Sequence, residues 1–335
     1  MRVVVFGAGA VGGHLAARLA AHGPAAGIEV AAVARGAQLL AMNQRGITLW
    51  TGEERTAAPI HATDRPETLG HQDVVLVTMK SSVLPGVAQQ LRTLIGPETT
   101  VIFAMNGIPW WYLYQLKDDG APRPDLSHLD PAGVLERSVG LEHVVGCMIN
   151  SANAVAEPGV IRNAPGTKNR FTLGEPDGTI SRRLQTISQA FERAGIPTPL
   201  TATIRVDIWD KLVRNLSTSP ICAVTGEPIA VLGRHPELFA LAKGLMREGL
   251  AVCAAYGIHI DIDPERAYGE RPSSPHKTSM LQDFERNRPP EIDGLLTAVQ
   301  AFARAAGIAT PNLDAITALI IEKARRLGLY PPAVW

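Results

Sequence analysis

Hydrophobic positions fall along this chain in two textures. Residues 2 to 6 (RVVVF) form an apolar run closed by glycine, and HLAARLAAH follows with alanine and leucine at helical spacing, which predicts strand, turn and helix. A second strand is predicted from Ile28 to Val33, ahead of Arg35-Gly36, followed by a helix and a strand at GITLW. DVVLVT (73–78) and Val101 to Ala104 are continuous apolar runs, as strands covered on both faces require. This alternation predicts an open, doubly wound α/β sheet. Between Tyr112 and His143 the stretch LKDDGAPRPDLSHLDPAG has little periodicity and predicts a long loop. From Val144 to Leu173, β-rich segments broken at Glu157-Pro-Gly and Ala164-Pro-Gly predict antiparallel strands added to the edge of that sheet.

Past about Thr201 the texture changes to long amphipathic helices, including Ile208 to Asn215, Glu237 to Tyr256 and Gly294 to Ala306, with no strand-like alternation. Pro197-Thr-Pro breaks the preceding helix, so a hinge is expected between Pro197 and Arg205. The expected organisation is an α/β first domain over residues 1–202 and an all-helical second domain over 203–335. A chain of 335 residues with 46% hydrophobic and 19% charged residues can bury a core in each.

Charge removes some functions from consideration. Lys plus Arg and Asp plus Glu stand at 32 each, so no global field gathers nucleic acid or an anionic membrane, and any anion must be caught locally. Cys147, Cys222 and Cys253 are odd in number, far apart and set in apolar surroundings, which reads as buried thiols in a reducing compartment. The isolated His259 and His276 lack metal-ligand spacing, and no metal is expected. The apolar run at the N-terminus is too short for a secretory signal, and no stretch of about 20 apolar residues follows. A cytoplasmic protein is expected.

The most informative local pattern is Gly7-Ala8-Gly9-Ala10-Val11-Gly12, which lies between the first strand and the first helix. The first glycine permits the turn, the second lets backbone approach a pyrophosphate, and the third allows close packing of a helix whose N-terminus attracts negative charge. Followed by further βα units, it predicts a Rossmann dinucleotide-binding domain. At the end of the second strand, where a carboxylate would hold a ribose 2′-hydroxyl, the chain has Ala34-Arg35. A guanidinium there suits a 2′-phosphate, so NADP(H) is expected over NAD(H).

Several polar residues stand where chemistry is possible. Lys80 follows DVVLVT and Asn106-Gly107 follows VIFAM, both at the carboxyl ends of parallel strands, where open α/β sheets bind ligands. Lys80 also fits a solvated strand-end lysine. Lys211 and Asn215 share one face of the helix IWDKLVRN, with Trp209 and Leu212 turned to the core, and a solvent-facing lysine fits that pattern as well. Glu291 in PPEIDG suits the start of a helix, and Ser279 in HKTSMLQD suits a helix cap. Trp110 and Trp111 are equally compatible with walling a pocket and with a core or interface.

Together VFGAGAVGG, VTMKSS, AMNG, DKLVRN…AVTG, SMLQD…RPPEID and GIATPNLD, in this order, resemble the ketopantoate reductase (2-dehydropantoate 2-reductase) family over nearly the full length. The resemblance implies a Rossmann domain and a helical domain with the active site in the cleft between them, and a place in pantothenate biosynthesis; the apolar helical second domain itself suits a homodimer. It implies that NADPH is held by the glycine loop, Arg35, Lys80 and Asn106, that Lys211 is the catalytic lysine assisted by Glu291, and that Asn106, Asn215 and Ser279 contact substrate. The implied reaction reduces a small 2-oxo acid, ketopantoate first, with Lys211 as general acid. The chain departs from the family at Ser219, where a second asparagine is usual, at Leu295-Leu296-Thr297 in place of Ile-Asn-Gly, and at His276, three before Ser279, in place of asparagine. These departures keep open a different 2-oxo acid, or an imine formed from one. A non-catalytic NADPH sensor is the other alternative on such a fold.

Overall fold

The computed structural model describes residues 1–116, 120–269 and 273–332. The chain divides into two compact units, the first comprising Met1–Met105, Trp111–Leu116 and Asp130–Arg205. The second takes Asn106–Trp110, the described part of 117–129 and the described chain from Val206 onward. The chain therefore enters the helical unit briefly at Asn106–Trp110, well before the hinge expected near Pro197.

In the first unit the elements in order are β1 (Arg2–Phe6), α1 (Ala10–His22), β2 (Glu29–Val33), α2 (Gly36–Arg45), β3 (Ile47–Thr51), β4 (Glu54–Ala58), β5 (His61–Thr63), β6 (Val74–Val77), α3 (Ala88–Arg92), β7 (Thr100–Ala104), α4 (Val134–Val139), β8 (Val144–Asn150), β9 (Asn153–Glu157), β10 (Val160–Asn163), β11 (Arg170–Gly174) and α5 (Arg182–Arg193). Seven strands form one sheet in the order β11-β8-β7-β6-β1-β2-β5. Every pairing in it is parallel except β11 on β8. β6 and β7 are buried along their whole length, which is why both read as unbroken apolar runs.

The second sheet departs from expectation. β8 and β11 extend the edge of the main sheet as expected, but the Glu157-Pro-Gly hairpin does not; with GITLW and β4 it forms a separate sheet in the order β4-β3-β10-β9, with β10 parallel to β3. The physical reason lies in α1, which packs against strands of both sheets and buries Gly12, Gly13, His14, Leu15, Ala16, Ala17 and Leu19. A helix covered on two sides needs apolar or small residues nearly all round. At Gly13 a Cβ would lie 2.5 Å from Ile161 Cδ1 of β10, so the close approach of helix and second sheet requires glycine.

Of the 112–143 stretch, residues 117–119 lie outside the described residues, and the described part is more ordered than its composition suggests. It contains short turns at Ser127–Leu129 and Pro131–Gly133 and the helix α4, whose first turn is tied by Asp130, with carboxylate oxygens accepting from the Leu135 and Glu136 amides at 2.8 and 3.0 Å. Residues 197–201 run alongside β11 with bonds from Phe171 N to Pro197 O and from Thr201 N to Leu173 O, both 2.9 Å.

The second unit is built from α6 (Ile204–Thr225), α7 (Val231–Arg234), α8 (Pro236–Ala255), α9 (Ser279–Glu285), α10 (Ala298–Ala305) and α11 (Pro311–Arg326). Trp209 and Tyr256 both meet Phe302 edge-on, with centroids 5.2 and 4.9 Å apart. Glu248 of α8, although buried, is satisfied by the amides of Asn312 and Leu313 and the Asn312 side chain at 2.6–2.9 Å, so its charge sits on the positive end of α11. All three cysteines are buried and free. Burial pushes the Cys222 thiol up to about 11 and Cys253 up to about 12. Among the described residues no helix is long and apolar enough to cross a membrane, and no cluster of His, Cys, Asp or Glu could hold a metal.

Candidate functional site

The first group of candidate residues surrounds the glycine turn of the first unit. Gly7 has φ +103°, a conformation that favours glycine, and its N–H donates to Val33 O at 3.1 Å. Gly12 is held as tightly as its proposed packing role requires: a Cβ would fall 2.2 Å from Gly7 O and 2.3 Å from Thr78 Oγ1. At Gly9, by contrast, a Cβ would have no atom within 4 Å, so the backbone there faces open space. α1 starts at Ala10 with no side-chain cap and no acidic residue in its first turn, which suits a phosphate at its positive end. This combination of a pinned first and third glycine with an open second one fits a dinucleotide pyrophosphate.

Two residues not singled out from sequence complete the turn. Thr78, at the end of β6, donates its hydroxyl to Gly7 O at 2.6 Å. Gln38 of α2 donates to Ala8 O at 2.9 Å and accepts from Gly159 N at 3.0 Å, tying the turn to the β9–β10 hairpin. Their signal in sequence is faint, a threonine closing an apolar run and a glutamine three after Arg35. Arg35 itself is exposed, in extended conformation, immediately before α2. Lys80 is half-buried just beyond β6 and begins the turn Ser81–Val83.

The second group lies wholly in the helical unit. Asn106 Oδ1 accepts from Lys211 Nζ at 2.7 Å, while Asn106 Nδ2 donates to Glu291 Oε2 at 3.1 Å. One amide thus uses both ends, with the acceptor turned to the ammonium and the donor to the carboxylate. Lys211 is placed by α6, whose Trp209, Leu212 and Val213 are buried and leave Lys211 half-buried on another face. Asn215, one turn further along the same face, is also half-buried.

Glu291 does not begin a helix as expected. It precedes a five-residue π-turn, Asp293–Thr297, which leads into α10, and its side chain is 9% exposed. Its charge is therefore met by a side-chain amide. Ser279 is the first residue of α9 and exposed; the cap is Thr278, whose hydroxyl accepts from Leu281 N at 3.4 Å. Trp111 packs in the core of the first unit, where a Cβ on Gly146 would lie 2.7 Å from its ring.

The fold and these two groups of residues define a two-unit oxidoreductase with a dinucleotide-type turn in an α/β unit and a lysine–amide–carboxylate cluster in a helical one. The chain belongs to the ketopantoate reductase family. The model of "Ketopantoate reductase PanE/ApbA" matches residues 3–117, and that of "Ketopantoate reductase PanE/ApbA C terminal" matches residues 192–324. A 2-dehydropantoate 2-reductase of Mesorhizobium japonicum is 38% identical over 98% of this chain and 100% of its own length. A crystal structure of a protein assigned as a ketopantoate reductase, from Ralstonia solanacearum MolK2, superposes with TM-score 0.87 at 37% identity, covering 98% and 99% of the two chains. D-mandelate dehydrogenase, crystallised with NADH and anilino(oxo)acetate, shares the fold with TM-score 0.79 at 19% identity, over 98% of this chain and 100% of its own.

Proposed function

We propose that the protein is an NADPH-dependent reductase of a small 2-oxo acid, with ketopantoate as the leading substrate and Lys211 as the general acid. The observation that carries this reading is the pair of bonds through Asn106, which hold an ammonium and a buried carboxylate on the two ends of one amide. Bound NADPH supplies the hydride. As charge builds on the carbonyl oxygen, the Lys211 ammonium stabilises it and delivers the proton. Glu291 keeps a negative charge beside the amide that orients Lys211, and Asn215 and Ser279 supply hydrogen bonds to the acid. Gly7 to Gly12 hold the pyrophosphate, Lys80 and Asn106 contribute further contacts to the cofactor, and Arg35 pairs with the 2′-phosphate. A homodimer is the expected assembly, read by size-exclusion chromatography with light scattering.

A different 2-oxo acid, or its imine, is favoured by a specific feature of this chain. At Ser219, where the family resemblance implies asparagine, the side chain is short and buried, and Leu295 and Leu296 are core residues. Fewer amide groups are then offered to a substrate hydroxyl, which favours a more apolar acid. Steady-state NADPH oxidation against ketopantoate and a panel of 2-oxo acids distinguishes the two. Highest kcat/KM with ketopantoate supports the first substrate, preference for a branched or aromatic acid supports the second, and no turnover with any member overturns the reductase reading.

A further inference from the structure

Two glycines bring the cluster's segments together. Asn106-Gly107-Ile108 follows β7, and Glu291 to Gly294 leads into the π-turn. Besides the side-chain bond between Asn106 and Glu291, these segments share a backbone bond from Ile108 N to Gly294 O at 2.8 Å. Two rungs therefore fix both the spacing and the register of the pair. Gly107 has φ +76°, and a Cβ on it would sit 2.5 Å from the carbonyl carbon and oxygen of Gly294. A Cβ on Gly294 would lie 3.2 Å from Ile108 O and 3.5 Å from Asn106 O. At Gly107 the two backbones could not come so close past a side chain, while at Gly294 a methyl group would push the 106–108 turn away by a few tenths of an ångström.

We propose that Gly107 and Gly294 form a backbone clasp that aligns the Asn106 amide between Lys211 and Glu291, and so act as positioning residues for the proton-donating lysine. This rests on Lys211 being the general acid. A shift of the 106–108 turn by a few tenths of an ångström moves Asn106 Oδ1 relative to Nζ, and the ammonium loses its fixed direction. The lysine keeps its place on α6, so the larger loss is expected in the catalytic step and a smaller one in binding, through the contacts Asn106 itself makes.

Gly294→Ala is the informative variant, because Gly294 does not need positive φ and its added methyl meets a tight contact of 3.2 Å where Gly107→Ala would meet 2.5 Å. We expect kcat to fall roughly tenfold, by more than KM for the acid or for NADPH rises, and the limb of the pH–rate profile due to Lys211 to move. In an Asn106→Ala background the same change should cost nothing more, since the group it displaces is gone. An unchanged kcat, or full additivity in that cycle, overturns the clasp. Wild-type protein gives a readout independent of turnover and of any variant: the Ile108 amide should be protected from hydrogen exchange, and rapid exchange there overturns the proposal. If the amide is protected but no 2-oxo acid is reduced, the backbone contact stands while the reductase reading, and with it the positioning role, fails; if 2-oxo acids are reduced but the amide exchanges rapidly, only the clasp fails.

Discussion

The glycine turn and the polar cluster each hold polar groups in a fixed arrangement, one by local and the other by distant contacts. The turn is six consecutive residues running from the end of one strand into the first turn of one helix, pinned by Val33, Gln38 and Thr78. The cluster draws single residues from three places, with Asn106 bonded to partners 105 and 185 positions away. A local device survives modest loosening of the unit around it, because its geometry is set by backbone conformation. A distributed one depends on the packing of every segment that supplies a residue. Catalysis should therefore be more sensitive than cofactor binding to changes in structure.

The largest effect expected from this difference is at Lys211. Lys211→Ala should lower kcat by about a thousandfold while the dissociation constant for NADPH, measured by fluorescence titration, stays within about twofold. Equal loss in both would erase the contrast between the regions. The next largest concerns His14, buried on α1 directly after the glycine turn, with Nδ1 3.0 Å from Asn153 Oδ1. Burial, and then the nearby Arg18 charge, lower its pKa from 6.5 to about 4. Between these values the unfolded chain binds a proton that the folded one does not. The resulting stability is complete above pH 6.5 and is lost as pH falls toward 4, a change of about 3 kcal/mol. Denaturant midpoints at pH 7 and pH 4.5 should diverge in the wild type and converge in His14→Gln.

Arg35→Ala sharpens the turn's side of the comparison. Affinity for NADPH should drop roughly ten- to a hundredfold with NADH unaffected, because only the 2′-phosphate loses a charge-assisted partner. Equal losses for both cofactors would remove Arg35 from that role. The smallest effect is expected at Gln38. Gln38→Ala removes a neutral bond to Ala8 O, worth about 1 kcal/mol, and should weaken NADPH binding several-fold without altering kcat.

The same division between local and distant contacts decides how far the molecule could be read from its residues. The glycine turn was legible because its consequences are contained in adjacent positions, and β6 and β7 because burial on both faces demands unbroken apolar runs. Lys211 and Asn215 could be placed on one helical face, but their link to Asn106 and Glu291 depends on tertiary packing that no spacing encodes. The family resemblance supplied that association. Glu291 reads equally as the first residue of a helix or as a buried partner, since a carboxylate suits both. The β9–β10 hairpin lies in the second sheet and not at the edge of the first for a related reason: local composition and turns identify it as a pair of strands but not which neighbour it pairs with. Asp130 holding α4 was hidden because the residues around it have the composition of a loop.

The parallel pairing of β10 with β3 bears on how the protein is made. As the chain leaves the ribosome, β3 and the Gly13 face of α1 emerge early, yet the strand that covers them is Val160–Asn163. Until it arrives, the nascent chain carries an exposed strand edge and an uncovered apolar helix, the features that bind chaperones and promote aggregation. A product truncated before residue 160 should therefore be insoluble even though its glycine turn and most of its parallel strands have been synthesised.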